Sequence, residues 1–205
     1  MQITTTTTKR GRINVHADGE YLFTVPAFVW YRSPLCGQSE AAEEELAALL
    51  REAKETEAYE KALRLLGMRA HSEAELGRKL ARDYPKSAVQ AALTRLNEAG
   101  LINDAAFAEQ LAEELARRKN YAPQRIQTEL ARRGVPAEIA KNAANALDID
   151  KKQGIIDIIA KMHLPERPAQ KDVNRLIRRL LNAGYTMREI RETITFSEEA
   201  PFDDC

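Results

Sequence analysis

Three histidines and two cysteines are the natural places to look for catalysis or metal binding, and their spacing favours neither. His16, His71 and His163 make no HExxH or HxH pair, so no local segment presents two imidazoles to one ion. Cys36 and Cys205 lie outside any CxxC spacing and have no histidine close in sequence, which argues against a zinc ribbon or a disulfide framework and makes a reducing cytosol the expected setting. There is no GxSxG elbow and no glycine-rich phosphate loop; the nine glycines are scattered as helix terminators. Glu43-Glu44-Glu45 reads as the first turn of a helix, where carboxylates meet the positive end of the dipole, and Asp104 reads the same way. No enzyme is expected here, and no metal or cofactor.

The basic residues do form a pattern. Arg78, Lys79 and Arg82 make one cluster, Arg125, Arg132 and Arg133 a second, and Arg175, Arg178 and Arg179 a third. Arg117-Arg118-Lys119 closes a helical segment, where cations also satisfy the last carbonyls. Cations recurring along a chain suit phosphates or a row of carboxylates. Tyr84, Phe107, Tyr121 and Tyr185 are too sparse between them for the stacking platform of a single-strand binder. Phe107 reads as core; Tyr121 and Tyr185, near basic clusters, read as core or surface.

The balance of 31 basic and 31 acidic residues hides a separation. Residues 1–57 carry 6 basic and 9 acidic groups, residues 58–196 carry 25 and 18, and residues 197–205 carry Glu198, Glu199, Asp203 and Asp204 with no base. A basic middle between acidic ends suits a polyanionic or acidic partner. With 44% hydrophobic and 30% charged residues the chain reads as globular. No apolar run approaches the ~18 residues that span a bilayer, so no membrane role is expected. Met1-Gln2-Ile3 followed by Thr4 to Thr8 lacks a secretion signal.

These groups must be held by something. Ile13–Ala17 and Glu20–Val25 flank Asp18-Gly19, a strong signal for a type I′ hairpin that sets Val15 opposite Leu22 and His16 opposite Tyr21. Ile3 to Thr8 is the predicted third strand, and Ala27 to Arg32 a short helix after Pro26. From Glu43 onward the apolar spacing is helical, in one long helix or two as far as Gly67.

An internal repeat then emerges. Glu75-Leu76-Gly77-Arg78-Lys79-Leu80 overlays Arg125-Ile126-Gln127-Thr128-Glu129-Leu130 and Arg175-Leu176-Ile177-Arg178-Arg179-Leu180, each at an offset of 50 residues. Gly134 and Gly184 share that offset as caps of the second helices; in the third helices Val89 and Ile139 keep it, and Ile190 falls one residue late. First helices are predicted over 58–66, 104–118 and 151–162. The predicted fold is mainly α: three tandem three-helix repeats, nine helices, in an elongated array, preceded by a small N-terminal β-hairpin region. The expected divisions are 1–40 for the hairpin region, 41–102 for a linker helix and repeat one, 103–148 for repeat two, 149–196 for repeat three and 197–205 for an acidic tail. A 50-residue unit has a marginal core, so neighbours must share apolar contacts.

Taken together, these residues resemble the RecX family of bacterial RecA regulators. The resemblance runs through Ala62-Leu63-Arg64-Leu65-Leu66, Ser72-Glu73-Ala74-Glu75-Leu76 and Gly100-Leu101-Ile102-Asn103-Asp104-Ala105-Ala106-Phe107-Ala108, then Pro123-Gln124-Arg125-Ile126 and Leu130-Ala131-Arg132-Arg133-Gly134-Val135. Asn14 to Tyr21 is similar to the N-terminal hairpin of longer members. Asn103 stands where an acidic residue is common, and Ala122 where glycine often precedes the proline. The resemblance implies a non-enzymatic, cytoplasmic, monomeric protein that binds the RecA–single-stranded DNA filament, with single-stranded DNA as a second partner, and restrains its ATPase, strand-exchange and co-protease activities. Contact would run through Arg78, Lys79, Arg82, Arg117, Arg118, Arg125, Arg132, Arg133, Arg175, Arg178 and Arg179, with Arg78, Arg82, Arg125, Arg132 and Arg133 contributing most. Two rivals stand beside it. One is a helix-turn-helix-like DNA-binding protein acting without RecA, from Ser72 to Ile102; the other is a plain helical scaffold.

An elongated array is checked by small-angle scattering. A compact globule of this length has a radius of gyration near ~17 Å; a clearly larger value is expected, and one at the globular figure refutes the array.

Overall fold

Asp18 and Gly19 both take positive φ, 50° and 88°, as the two central residues of a type I′ turn must. The turn joins β2 (Arg12–Ala17) to β3 (Glu20–Pro26), and β1 (Ile3–Thr7) adds antiparallel to the other side of β2. This is seen in a computed structural model that describes residues 1–165 and 168–194. The segment read as an acidic tail, 197–205, lies outside the described residues. His16 pairs with Tyr21 as expected, but Val15 pairs with Phe23 and not with Leu22. A bulge between Val15 and His16 makes Leu22 the extra residue, a slip that period-two counting cannot foresee.

Two compact units divide the chain, the first Met1–Asn103 and the second from Asp104 onward. In the first, Ile13, Val15 and Ala17 alternate onto the inner face of the sheet and meet Val25, Val29 and Trp30. Val29 and Trp30 come from α1 (Ala27–Arg32), the expected short helix. A single helix, α2 (Glu43–Met68), covers this core with Leu46, Leu49 and Ala53. Its 26 residues extend about 39 Å. Its first turn is acidic, and the Glu45 carboxylate accepts from the Ala42 N–H at 2.8 Å. Gly67 does not break it.

The far half of α2 serves a second core. Ala58 and Ala62 lie against Leu76 and Leu80 of α3 (Glu73–Leu80) and Ala92, Leu93 and Leu96 of α4 (Lys86–Glu98). The Arg95 guanidinium stacks 4.1 Å from the Tyr59 ring centre and ties α4 to α2. Because α3 ends at Leu80, Arg82 sits in the turn beyond it and not on the helix.

The second unit holds α5 (Asp104–Lys119), α6 (Pro123–Arg133), α7 (Ala137–Asn145), α8 (Lys151–Ala160), α9 (Gln170–Asn182) and α10 (Met187–Thr193). The repeat positions are structurally equivalent: Leu76, Ile126 and Leu176 are buried, as are Leu80, Leu130 and Leu180. Gly134 caps α6 in the left-handed region, and Gly184 follows α9 in the same conformation. In the third helices Ala140, not Ile139, is the fully buried partner of Ile190 at the 50-residue offset. Among the described residues the repeats account for nine helices, the first being the far half of α2, and α1 is a tenth.

A polar knot opens α3. Ser72 Oγ accepts from the Glu75 N–H at 3.2 Å, capping the helix. The Glu75 carboxylate takes two donors from Arg69, at 2.6 and 3.1 Å. His71 is buried, its Nδ1 3.0 Å from Glu75 Oε2 but off the hydrogen-bonding line. The Arg69 bonds hold Glu75 down from an ordinary 4.5 to about 2, and burial pushes His71 below its usual range. Both groups bind fewer protons folded than unfolded. Their stabilisation is present at neutral pH and is lost on acidification, for Glu75 between pH 4.5 and about 2. Replacing Glu75 by glutamine is expected to cost up to about 3 kcal/mol at pH 7, with the deficit shrinking towards pH 2. Urea denaturation at the two pH values checks this, and a pH-independent deficit refutes it.

Candidate functional site

The second unit is organised around the residue that follows α5. Asn120 takes a positive φ of 54° and is buried, 8% exposed. Its Nδ2 donates to Asp157 Oδ2 at 2.9 Å, and its Oδ1 accepts from Lys161 Nζ at 2.8 Å. Its carbonyl accepts from the Tyr185 hydroxyl at 2.7 Å. One residue of repeat two thus binds three of repeat three. The Ala122 N–H completes the joint by donating to the Ala183 carbonyl at 2.9 Å.

Two glycines allow this closeness. A Cβ on Gly184, at φ 94°, would lie 2.7 Å from Arg125 Cβ and 3.0 Å from its backbone nitrogen. A Cβ on Gly154 of α8 would collide with the Tyr185 hydroxyl. Tyr185 is accordingly core, 2% exposed, and burial raises its hydroxyl to about 12, so it stays a donor. Tyr121 and Ala122 of repeat two pack in the repeat-three core with Ile155, Leu176 and Ile190.

The joint gathers charge. Arg118 and Lys119 from the end of α5, Arg125 from α6, Lys161 after α8 and Arg179 from α9 line one cleft of about 530 Å³. Tyr121, Ile158, Asn182 and Ala183 also line it, and among the described residues no carboxylate does. Arg118 pairs with Glu114 at 2.9 Å, and Arg125 donates to Glu129 at 2.6 Å. Lys119, Lys161 and Arg179 have no ion pair among the described residues. The Lys119 ammonium and the Arg125 guanidinium lie 5.6 and 5.5 Å from the Tyr121 ring centre. Such a cleft attracts anions, and Tyr121 gives it a flat apolar wall.

Of the arginines singled out by sequence, three meet here: Arg118, Arg125 and Arg179. Arg117 instead lines a separate cleft of about 670 Å³ with Glu113, Asp148 and Asp150. Arg132 shares Glu129 at 3.3 Å, and Arg175 pairs with Asp172 at 3.2 Å, both outside the cationic cleft. Arg133 and Arg178 are exposed outside it too. Arg78, Lys79 and Arg82 belong to the first unit. Lys119, Lys161 and Tyr121 line the cleft although the sequence does not single them out as contact residues. Lys161 follows a first helix, whereas the repeat pattern drew attention to second helices. Among the described residues no group of three His, Cys, Asp or Glu side chains could hold a metal ion, and no helix is long and apolar enough to cross a membrane.

Fold and cleft together define a tandem three-helix-repeat protein with an anion-attracting groove. Comparison narrows this class. Residues 58–96 match the family model for the first three-helix domain of RecX, and residues 103–143 match that for the second. The regulatory protein RecX of Chlorobaculum tepidum is 35% identical over 144 residues, covering 70% of this chain and 89% of that protein. That of Caldanaerobacter subterraneus is 24% identical over 190 residues, 92% of this chain and 95% of its own. A crystal structure of a regulatory protein RecX superposes with a TM-score of 0.65 at 20% identity, over 94% of this chain and 98% of its own. RecX from Lactobacillus salivarius gives 0.55 at 20% identity, over 68% and 94%. The chain belongs to the RecX family of regulatory proteins.

The joint is tested by Gly184→Ala, expected to destabilise by about 1–3 kcal/mol through positive φ and the clash with Arg125. Gly11→Ala, at φ 69° with open space around it, carries the backbone strain alone. Equal losses for the two in urea denaturation would remove the packing part of this account.

Proposed function

We propose that this protein regulates RecA by binding the RecA–single-stranded DNA filament, and that it restrains the filament's ATPase, strand-exchange and co-protease activities. RecX membership supports the regulation of RecA. The cationic cleft is the observation that supports the mode of contact: five basic side chains from four places in the chain, with no lining carboxylate among the described residues. Arg118, Arg125 and Arg179 are assigned the main contacts, with Lys119 and Lys161 beside them. Their partners are phosphates of the filament DNA or carboxylates of its protein surface. Neutralising phosphates releases condensed counterions, which makes such binding favourable and salt-dependent. Arg78, Lys79 and Arg82 on the first unit, and Arg117, Arg132, Arg133, Arg175 and Arg178 on the second, are weaker contacts; many weak contacts raise avidity on a repetitive polymer. The protein acts as a monomer in the cytoplasm and transforms no molecule.

A RecA-independent repressor is less well supported. Gly100 takes φ 64° after α4, and the chain enters α5 at Asp104 without the β-wing of a winged-helix reader. A scaffold without a nucleoprotein role leaves the cleft unexplained.

Titrating the protein into RecA on single-stranded DNA while following ATP turnover tests the proposal. Arg125→Glu/Arg179→Glu is expected to raise the half-inhibitory concentration about tenfold or more, whereas Arg188→Glu, on α10 outside the cleft, leaves it unchanged. Full inhibition by the double variant refutes the cleft as the contact surface, and no inhibition by the parent protein refutes the restraint.

A further inference from the structure

We infer that the groove between α1 and α2 in the first unit is a docking site for an amphipathic helix of a protein partner, one that carries lysine or arginine beside its apolar stripe. The groove lies wholly within Met1–Asn103 and shares no residue with the cationic cleft.

Packing leaves the groove with apolar groups that the core does not use. The short helix α1 buries Val29 and Trp30 and presents Phe28 and Tyr31, one turn apart, to solvent at 45% and 65% exposure. Across from them α2 contributes Tyr59 and Leu63, also one turn apart, with Leu63 37% exposed. Phe28, Tyr59 and Leu63 line one cleft of about 480 Å³, which Arg95 of α4 also lines. Single exposed apolar residues are ordinary on a protein surface. Aromatic and aliphatic groups gathered in one concave patch mark a protein contact.

Backbone chemistry selects the form of the occupant. The α1 and α2 walls are helices, whose N–H and C=O groups are bonded within their own turns, so those walls offer an incoming chain side chains alone. An extended segment would lose water from its main-chain groups and find no partners for them there. A helix brings its own bonds and needs only apolar anchors at i, i+3 or i+4, and i+7.

Charge selects its flanks. Glu52, Glu55 and Glu60 stand along the α2 wall and make no ion pair among the described residues. By themselves they would be an ordinary solvated helix face; beside the aromatic groove they rim it. The two bases of the lining have roles in the fold. Arg95 lies on the Tyr59 ring, and Arg32 closes the last turn of α1, where a cation meets the negative end of the dipole. A partner helix with cations on the side facing α2 therefore meets carboxylates, whereas an acidic one meets repulsion.

A peptide titration tests this. The probe is a synthetic amphipathic peptide of leucine and lysine, about 14 residues or some four helical turns long, and its leucine–glutamate counterpart is the control. Added to the isotope-labelled full chain, the lysine peptide is expected to shift the amides of Phe28, Tyr31, Glu52, Glu55, Tyr59 and Leu63 saturably. The glutamate peptide should leave them in place. Phe28→Ser/Leu63→Ser and, separately, Glu52→Lys/Glu55→Lys are each expected to weaken binding about tenfold or more. Met68→Ser, at an 81% exposed residue that does not line the groove, should leave the affinity unchanged. Glu52 and Glu55 lie outside the core, so the charge variant is expected to keep the parent's urea midpoint and to decide the matter even if the apolar variant unfolds. Absence of saturable shifts at these amides, equal binding of the glutamate peptide, or unchanged affinity in the folded charge variant overturns the inference.

Discussion

A tyrosine hydroxyl donating to a main-chain carbonyl 65 residues earlier sets the form of the second unit. Left unpaired in the repeat-three core, the Tyr185 hydroxyl and the Asn120 carbonyl would each cost on the order of 1–3 kcal/mol; joined, they fix where α5 ends relative to α8 and α9. Gly154 and Gly184 have no side chain because a Cβ at either place would occupy the space the joint uses. Lys119, Tyr121 and Arg125 flank Asn120 in sequence, so the same bond that closes the core also brings their charges up to Lys161 and Arg179. Packing and electrostatics therefore share one cause.

Each repeat is too small to stand alone, and the molecule answers this in two ways. Repeat one borrows α2, whose near half is already anchored on the sheet through Leu46, Leu49 and Ala53, so a single helix carries two cores. Repeat two lends Tyr121 and Ala122 to repeat three. Such sharing is what small repeats require, since about 50 residues bury too little surface by themselves. It also brings side chains of two repeats together at their joint. The cationic cleft lies at such a joint.

Clefts of opposite character open at the joint of repeats two and three. Arg118 and Lys119 line the cationic one, while Arg117, one residue earlier, lines the other with Glu113, Asp148 and Asp150. Neighbouring residues on a helix point about 100° apart, so a run of three basic residues is divided between faces. Arg132 and Arg175 are likewise occupied by carboxylates three residues away on their own helices, Glu129 and Asp172. Pairs of this kind belong to the solvated helix surface and contribute little energy each.

The repeat itself was legible in the sequence, because Leu76, Ile126 and Leu176 and Leu80, Leu130 and Leu180 must recur wherever the same helix face is buried. The hairpin was legible as well, since Asp18-Gly19 satisfies a turn that few other residue pairs can adopt. The absence of catalytic spacing and the clustering of arginines also came from local pattern, which depends only on neighbours along the chain. The Leu22 bulge, the place of Ala140 in the core and the membership of the cleft came from the tertiary structure. They depend on which distant segments meet: Asn120 on Tyr185, Arg125 on Gly184, Lys161 on Asn120. Side-chain period determines which face of a helix is buried, but only the packed joint decides which exposed charges become neighbours.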